Sequence, residues 1–124
     1  MLIFVVEDNA DTRLALQAAL ETAGYEVFAT PNGKRALERL RSAPKPDAIL
    51  LDLAMPDMSG FEVYSSLRSD PALSSIPVIV LTAAAPRHRS GLDSVDVIRK
   101  PVDLDELLFA VRRVTEGEEL PHPT

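Results

Sequence analysis

Two spacings of apolar residues alternate along the chain. "LIFVV" at 2–6 is an unbroken β-branched and apolar run, as expected of a strand buried on both faces. "DTRLALQAALETAG" at 11–24 then sets Leu16, Ala19, Leu20 and Ala23 at helical spacing, with Asp11 placed to cap the start and Gly24 to end it. A strand at 25–30 follows, then a helix at 32–42 with Ala36, Leu37 and Leu40 inward, closed by Pro44 and Pro46. "DAILLD" at 47–52 predicts a third strand, and 60–69 a third helix with Phe61, Tyr64 and Leu67 on one stripe. "IPVIVLT" at 76–82 and "VDVIR" at 95–99 predict two more strands. Between them, Ala83 to Asp93 is polar, with a proline and a glycine, and holds at most a short helix. The last helix is predicted over 103–117. Asp103 and Glu106 make a capping-box-like start, and Leu104, Leu107, Leu108, Val111 and Val114 form its apolar face. Residues 1–117 read as one domain, and the polar, proline-containing tail at 118–124 as flexible.

Five strands alternating with helices predict an α/β fold, a doubly wound parallel sheet covered on both faces by right-handed crossovers. Ligand sites in such sheets lie outside the carboxyl ends of the strands, where the strand order reverses. Composition narrows what can sit there. The 124 residues are enough for one domain with a core that needs no staple. There is no cysteine, which excludes disulfides, thiol catalysis and thiolate metal sites, and two histidines are too few for a histidine-based zinc site. The net charge is −6 and the basic residues are scattered among more numerous acids, so no basic face for nucleic acid is expected. The longest apolar runs are too short to cross a bilayer, and no basic segment precedes the first of them. The expectation is a cytoplasmic protein. Met1 leading straight into the first strand, with a short polar tail at the other end, reads as a whole protein.

The predicted strand ends carry the chemistry. Strand one runs into Glu7 and Asp8, strand three ends at Asp52, strand four at Thr82, and strand five near Lys100, which precedes Pro101. Each of these has a bland reading alone, as a cap, a turn or a surface lysine. Together at one edge they match a set of chemical needs. Hard cations such as Mg²⁺ take carboxylate oxygens with water and a phosphate oxygen. A carboxylate can accept a phosphoryl group as an acyl phosphate, and the transfer needs positive charge on the phosphoryl oxygens.

With "FVVEDNADTR", "LLDLAMPDMSGFE", "VIVLTA" and "IRKPVDLDELL", and more weakly "NGKRALE", the chain resembles the receiver domain of two-component response regulators, here of the stand-alone type. That resemblance implies a flavodoxin-like sheet in the order 2-1-3-4-5. It implies Asp52 as phosphoacceptor, and Asp8, Asp52 and the backbone carbonyl of Ala54 as Mg²⁺ ligands, with Glu7 acting mainly through a water. Thr82 resembles the switch hydroxyl and Lys100 the lysine that pairs with the phosphoryl group. The Lys100–Pro101 peptide is then a candidate cis bond. The donor implied is a sensor histidine kinase or a histidine phosphotransfer protein, and the output a protein–protein contact with an unnamed target. The chain would catalyse its own phosphorylation and dephosphorylation without turning over external substrates.

Three positions depart from the family pattern. Val97 stands where an aromatic is usual, three residues before the lysine. The stretch from Thr82 to Lys100 is shorter than usual by about one helical turn, so the fourth helix is expected to be short or missing. Ala54 and Ala84 occupy positions that tune phosphoryl loss in the family. The alternative is a pseudo-receiver, an interaction module independent of phosphorylation. An aspartyl phosphatase would need a second acid where Ala54 stands. His88 reads as a solvated loop residue, His122 as tail, Asp57 as a turn residue, Met55 and Met58 as packing, and Arg112 and Arg113 as the solvent face of the last helix.

Overall fold

Runs such as LIFVV, AILLD and VIVLT carry no polar side chain before their last residue, so strands built from them must be covered on both faces. The computed structural model describes residues 1–42, 44–54, 60–83 and 96–116. Within these, β1 (Leu2–Val6), α1 (Ala10–Thr22), β2 (Glu26–Thr30), α2 (Gly33–Ser42), β3 (Ala48–Asp52), α3 (Gly60–Ser69), β4 (Val78–Thr82), β5 (Asp96–Arg99) and α4 (Leu104–Thr115) follow one another. All strand pairs are parallel and the sheet order is β2-β1-β3-β4-β5, the flavodoxin-like order expected. The chain starts in the middle, steps outward to β2, then returns across β1 to β3. The carboxyl ends of β1 and β3 therefore flank the point where the order reverses.

The strand period of two sorts the core into two layers. Phe4, Val6, Ile49, Leu51, Val78 and Val80 meet Ala36, Leu37 and Leu40 of α2 and Val63, Tyr64 and Leu67 of α3. Ile3, Val5, Leu50, Ile79, Leu81 and Ile98 meet Leu16 and Leu20 of α1 and Leu107, Ala110 and Val111 of α4. Covering each large aliphatic side chain contributes about 1.5–3 kcal/mol before chain entropy is set against it. Burial on both faces makes β1, β3 and β4 a firm platform.

The element ends show where local reading was off. Asn9, not Asp11, caps α1: its Oδ1 accepts the Thr12 N–H at 2.9 Å, and Asp11 lies inside the first turn. Gly24 does end that helix, at φ 101°, a conformation open to glycine. Asp103 caps α4 through the N–H groups of Asp105 and Glu106. β4 starts at Val78 rather than Ile76, because Ile76 closes a turn onto Leu73 O. Phe61 and Leu104 are exposed, and so is Ala23; α3 turns Val63 inward instead of Phe61. The expected short or missing fourth helix falls in 84–95, outside the described residues, as do Met55, Asp57, Met58, Ala84, His88, His122 and the tail at 118–124. Four helices stand among the described residues, and none is long and apolar enough to cross a membrane.

Gly60 fixes the approach of α3 to β3. Its N–H donates to Leu53 O at 2.9 Å, and a Cβ there would lie 2.3 Å from Asp52 O and 2.5 Å from Leu53 Cα. Both obstacles are backbone, so nothing can swing aside. Alanine in place of glycine ordinarily favours a helix by about 1 kcal/mol. Here Gly60→Ala is expected to reverse that sign and cost about 3 kcal/mol in urea unfolding. A variant as stable as the parent would show that α3 does not seat this closely.

Candidate functional site

Each polar residue at the sheet's carboxyl edge is delivered by a strand that has run out of apolar residues. Glu7 follows β1 directly, and its N–H still pairs with Thr30 O at 3.0 Å, so the β1–β2 ladder carries one residue further. The Glu7 side chain is fully buried and its Oε2 accepts the Asn9 N–H at 3.1 Å. Asp8 is exposed. Asp52, the last residue of β3, is buried, and its Oδ1 accepts the Ala54 N–H at 3.1 Å. One oxygen from each of Glu7, Asp8 and Asp52 lies within 4.8 Å of the others.

Lys100 reaches this cluster from beyond β5. Its N–H donates to Thr82 O at 2.7 Å, which ties it to the end of β4, and the Lys100–Pro101 peptide is cis. Lys100 Nζ stands 2.8 Å from Glu7 Oε1 and 3.5 Å from Asp52 Oδ2. Neither oxygen has a donor aligned for a hydrogen bond, so these contacts are charge on charge. Thr82 is buried beside them at the end of β4. Ala54 enters through its N–H alone among the described contacts.

Three acids share one ammonium, and burial makes the imbalance count. Burial pushes the Asp52 carboxyl from 3.8 up to about 7, and hydrogen bonding with Asp8 and the charge of Glu7 push the same way. The Ala54 N–H and the Lys100 charge oppose the rise without cancelling it. For Lys100, burial pulls downward, but the facing carboxylates of Glu7, then Asp52, carry it above 10.5. Two buried carboxylate oxygens without hydrogen bonds, beside a third acid, form a group able to hold a metal ion.

Two supports had no role in the sequence reading. Asn9 both caps α1 and clamps Glu7. Arg13, one turn into α1, donates from Nη1 to Glu7 O at 2.9 Å and to Asp8 O at 3.4 Å. The only sequence signal for Arg13 is its place in "EDNADTR", a cation near the start of a helix, where the dipole disfavours it. Arg113, read as solvent-facing, pairs with Asp96 of β5. Val97 packs, half-buried, against the layer that holds Val80.

Residues 3–112 match the family model of the response regulator receiver domain. The transcriptional regulatory protein CrdR of Helicobacter pylori is 38% identical over 115 residues, which cover 90% of this chain and 53% of CrdR. The chain therefore spans about half the length of that relative. An uncharacterised 14.6 kDa protein of Leptolyngbya boryana is 41% identical over 118 residues, 90% of this chain and 87% of that one. Among solved structures, the signal receiver domain of a signal transduction histidine kinase from Syntrophus aciditrophicus superimposes with a TM-score of 0.85 at 31% identity, covering 99% of this chain and 96% of that one. By family match, relatives and sheet topology alike, the chain belongs to the response regulator receiver domain family.

Proposed function

We propose that the chain accepts a phosphoryl group on Asp52 in a two-component or phosphorelay pathway, with Mg²⁺ bound at the acid cluster. The observation that carries this reading is the pair of buried, hydrogen-bond-orphaned oxygens, Glu7 Oε1 and Asp52 Oδ2, facing Lys100 beside Asp8. An oxygen-rich, net-negative group of this kind fits a hard divalent cation, with Asp8 and Asp52 as direct ligands and Glu7 behind them. The Ala54 carbonyl is assigned as the remaining protein ligand by resemblance to the family. Bound there, Mg²⁺ supplies positive charge for the phosphoryl oxygens.

The remaining steps belong to side chains of this chain. A carboxylate oxygen of Asp52 attacks the phosphorus of a phosphohistidine; the P–O bond forms as the P–N bond breaks, and the imidazole nitrogen leaves with the bonding pair. The buried mount keeps Asp52 from turning away, and the Ala54 N–H holds one of its oxygens. Lys100 stands ready to pair with the new phosphoryl charge, and Thr82 contributes its hydroxyl. A groove of about 370 Å³ along Asp11, Thr12, Leu16, Lys100 and Leu104 opens beside Lys100 and gives a donor protein a face to meet. The donor is a histidine kinase or phosphotransfer protein in the cytoplasm, and the output is a protein contact.

Acetyl phosphate with Mg²⁺ is expected to add one phosphoryl group by intact mass. Omitting Mg²⁺ or substituting Asp52→Asn is expected to abolish the gain. No gain from the parent protein, together with no Mg²⁺ binding, would reject this reading in favour of an interaction module independent of phosphorylation.

A second expectation concerns pH. In the metal-free protein Asp52 keeps a proton up to about 7, whereas the unfolded chain loses it near 3.8. Between those values the folded state binds the extra proton, so this group's contribution to stability falls as pH rises and is level above about 7. Asp52→Asn is expected to remove that slope. It should be the more stable protein above neutrality by on the order of 3 kcal/mol, with little difference near pH ~4. Urea unfolding in chelator across this range measures it, and parallel stability profiles would refute the assignment.

A further inference from the structure

Arg13 spends its guanidinium on main-chain oxygens. Among the described residues it makes no ion pair; the ion pairs there involve Lys100 and Arg113. Instead Nη1 lies 2.9 Å from Glu7 O and 3.4 Å from Asp8 O. These carbonyls belong to the two peptide groups on either side of the Asp8 Cα. A helical side chain leans back toward the helix N-terminus, which is how a residue one turn into α1 reaches them.

The three acids are not anchored alike. Glu7 is buried, takes the Asn9 N–H, faces Lys100 and pairs its own N–H with Thr30 O. Asp52 is buried at the end of β3 and takes the Ala54 N–H. Asp8 is exposed; hydrogen bonding ties it to Asp52, while like charge in the cluster pushes it toward open water. Unlike the two buried acids, it is not enclosed by the core, so its place within 4.8 Å of them leans on how its backbone is held. We infer that Arg13 is a positioning residue: by bridging the Glu7 and Asp8 carbonyls it holds the Asp8 carboxylate in the divalent-cation site. A cation in a first helical turn works against the helix dipole, and this bridge is what offsets that cost. The inference rests on the metal reading above, and its test separates the two.

Arg13→Gln keeps the polarity and length of much of the side chain but cannot span both carbonyls with a charged group. Calorimetric titration of the unphosphorylated protein with Mg²⁺ is expected to show about tenfold weaker binding, the size found for groups that orient metal ligands. Arg13→Lys should recover part of the loss. Leu20→Ala, which loosens α1 from the core without touching the bridge, serves as the control and should bind Mg²⁺ as the parent does. In metal-free protein, amide exchange at Asn9, whose N–H is given to Glu7 Oε2, is expected to quicken severalfold in Arg13→Gln. Binding within twofold of the parent would overturn the inference, as would an equal loss in Leu20→Ala. If the parent binds no Mg²⁺, the metal reading fails. Exchange at Asn9 then decides the bridge alone: quickened exchange keeps it and unchanged exchange removes it.

Discussion

Mutual repulsion among three carboxylates governs the working end of this molecule. Glu7 and Asp52 are withdrawn from water, and Asp8 stands within 4.8 Å of both. At that separation and an effective dielectric of about 20, two ionised acids repel by roughly 3 kcal/mol. Among the described residues Lys100 is the cation paired with these carboxylates, and one ammonium cannot balance all three. Burial first, and then Asp8 and the charge of Glu7, make Asp52 hold its proton until about 7 unless more positive charge arrives. The imbalance is what makes the site receptive to a divalent cation, and its cost has to be carried by the rest of the fold.

The sheet carries it. β1 and β3 are covered on both faces, so their ends cannot retreat from one another without uncovering apolar side chains in two layers. Gly60 lets α3 close against the backbone of Asp52 and Leu53, which holds β3 from behind. Asn9 and Arg13 secure the other side, one through the Glu7 carboxylate and one through the carbonyls of Glu7 and Asp8. Lys100 is bound to the end of β4 through Thr82 O. The acids sit together because four strand ends and two helix starts are each fixed for reasons of packing.

Much of this was legible along the chain. The period-two and period-3.6 patterns place every strand and helix among the described residues to within a few positions, and their alternation implies a parallel sheet, while its order 2-1-3-4-5 follows from the family resemblance. Errors came where neighbours outvote local rules. Phe61 has the right spacing for α3, yet the helix rotates Val63 inward and leaves Phe61 exposed. Leu104 sits in the first turn of α4, where the core no longer reaches. Asp11 and Asn9 are both good caps, and only the path of the loop after Glu7 selects Asn9. Arg113 keeps a partly exposed side chain, and only its ion pair escapes local rules, because Asp96 lies on a different element.

The sequence by itself determined the elements, the class of sheet and the residues that end its strands, because those follow from spacing along one chain. It also determined that the chemistry there is of oxygen and charge, since no thiol is present and histidine is scarce. Only the tertiary structure decided which acids are buried, which oxygens lack a donor, and how far Asp52 is pushed from its ordinary titration. Those are properties of distance and desolvation. They exist only once residues dozens of positions apart, Glu7, Asp52 and Lys100, share one enclosed space.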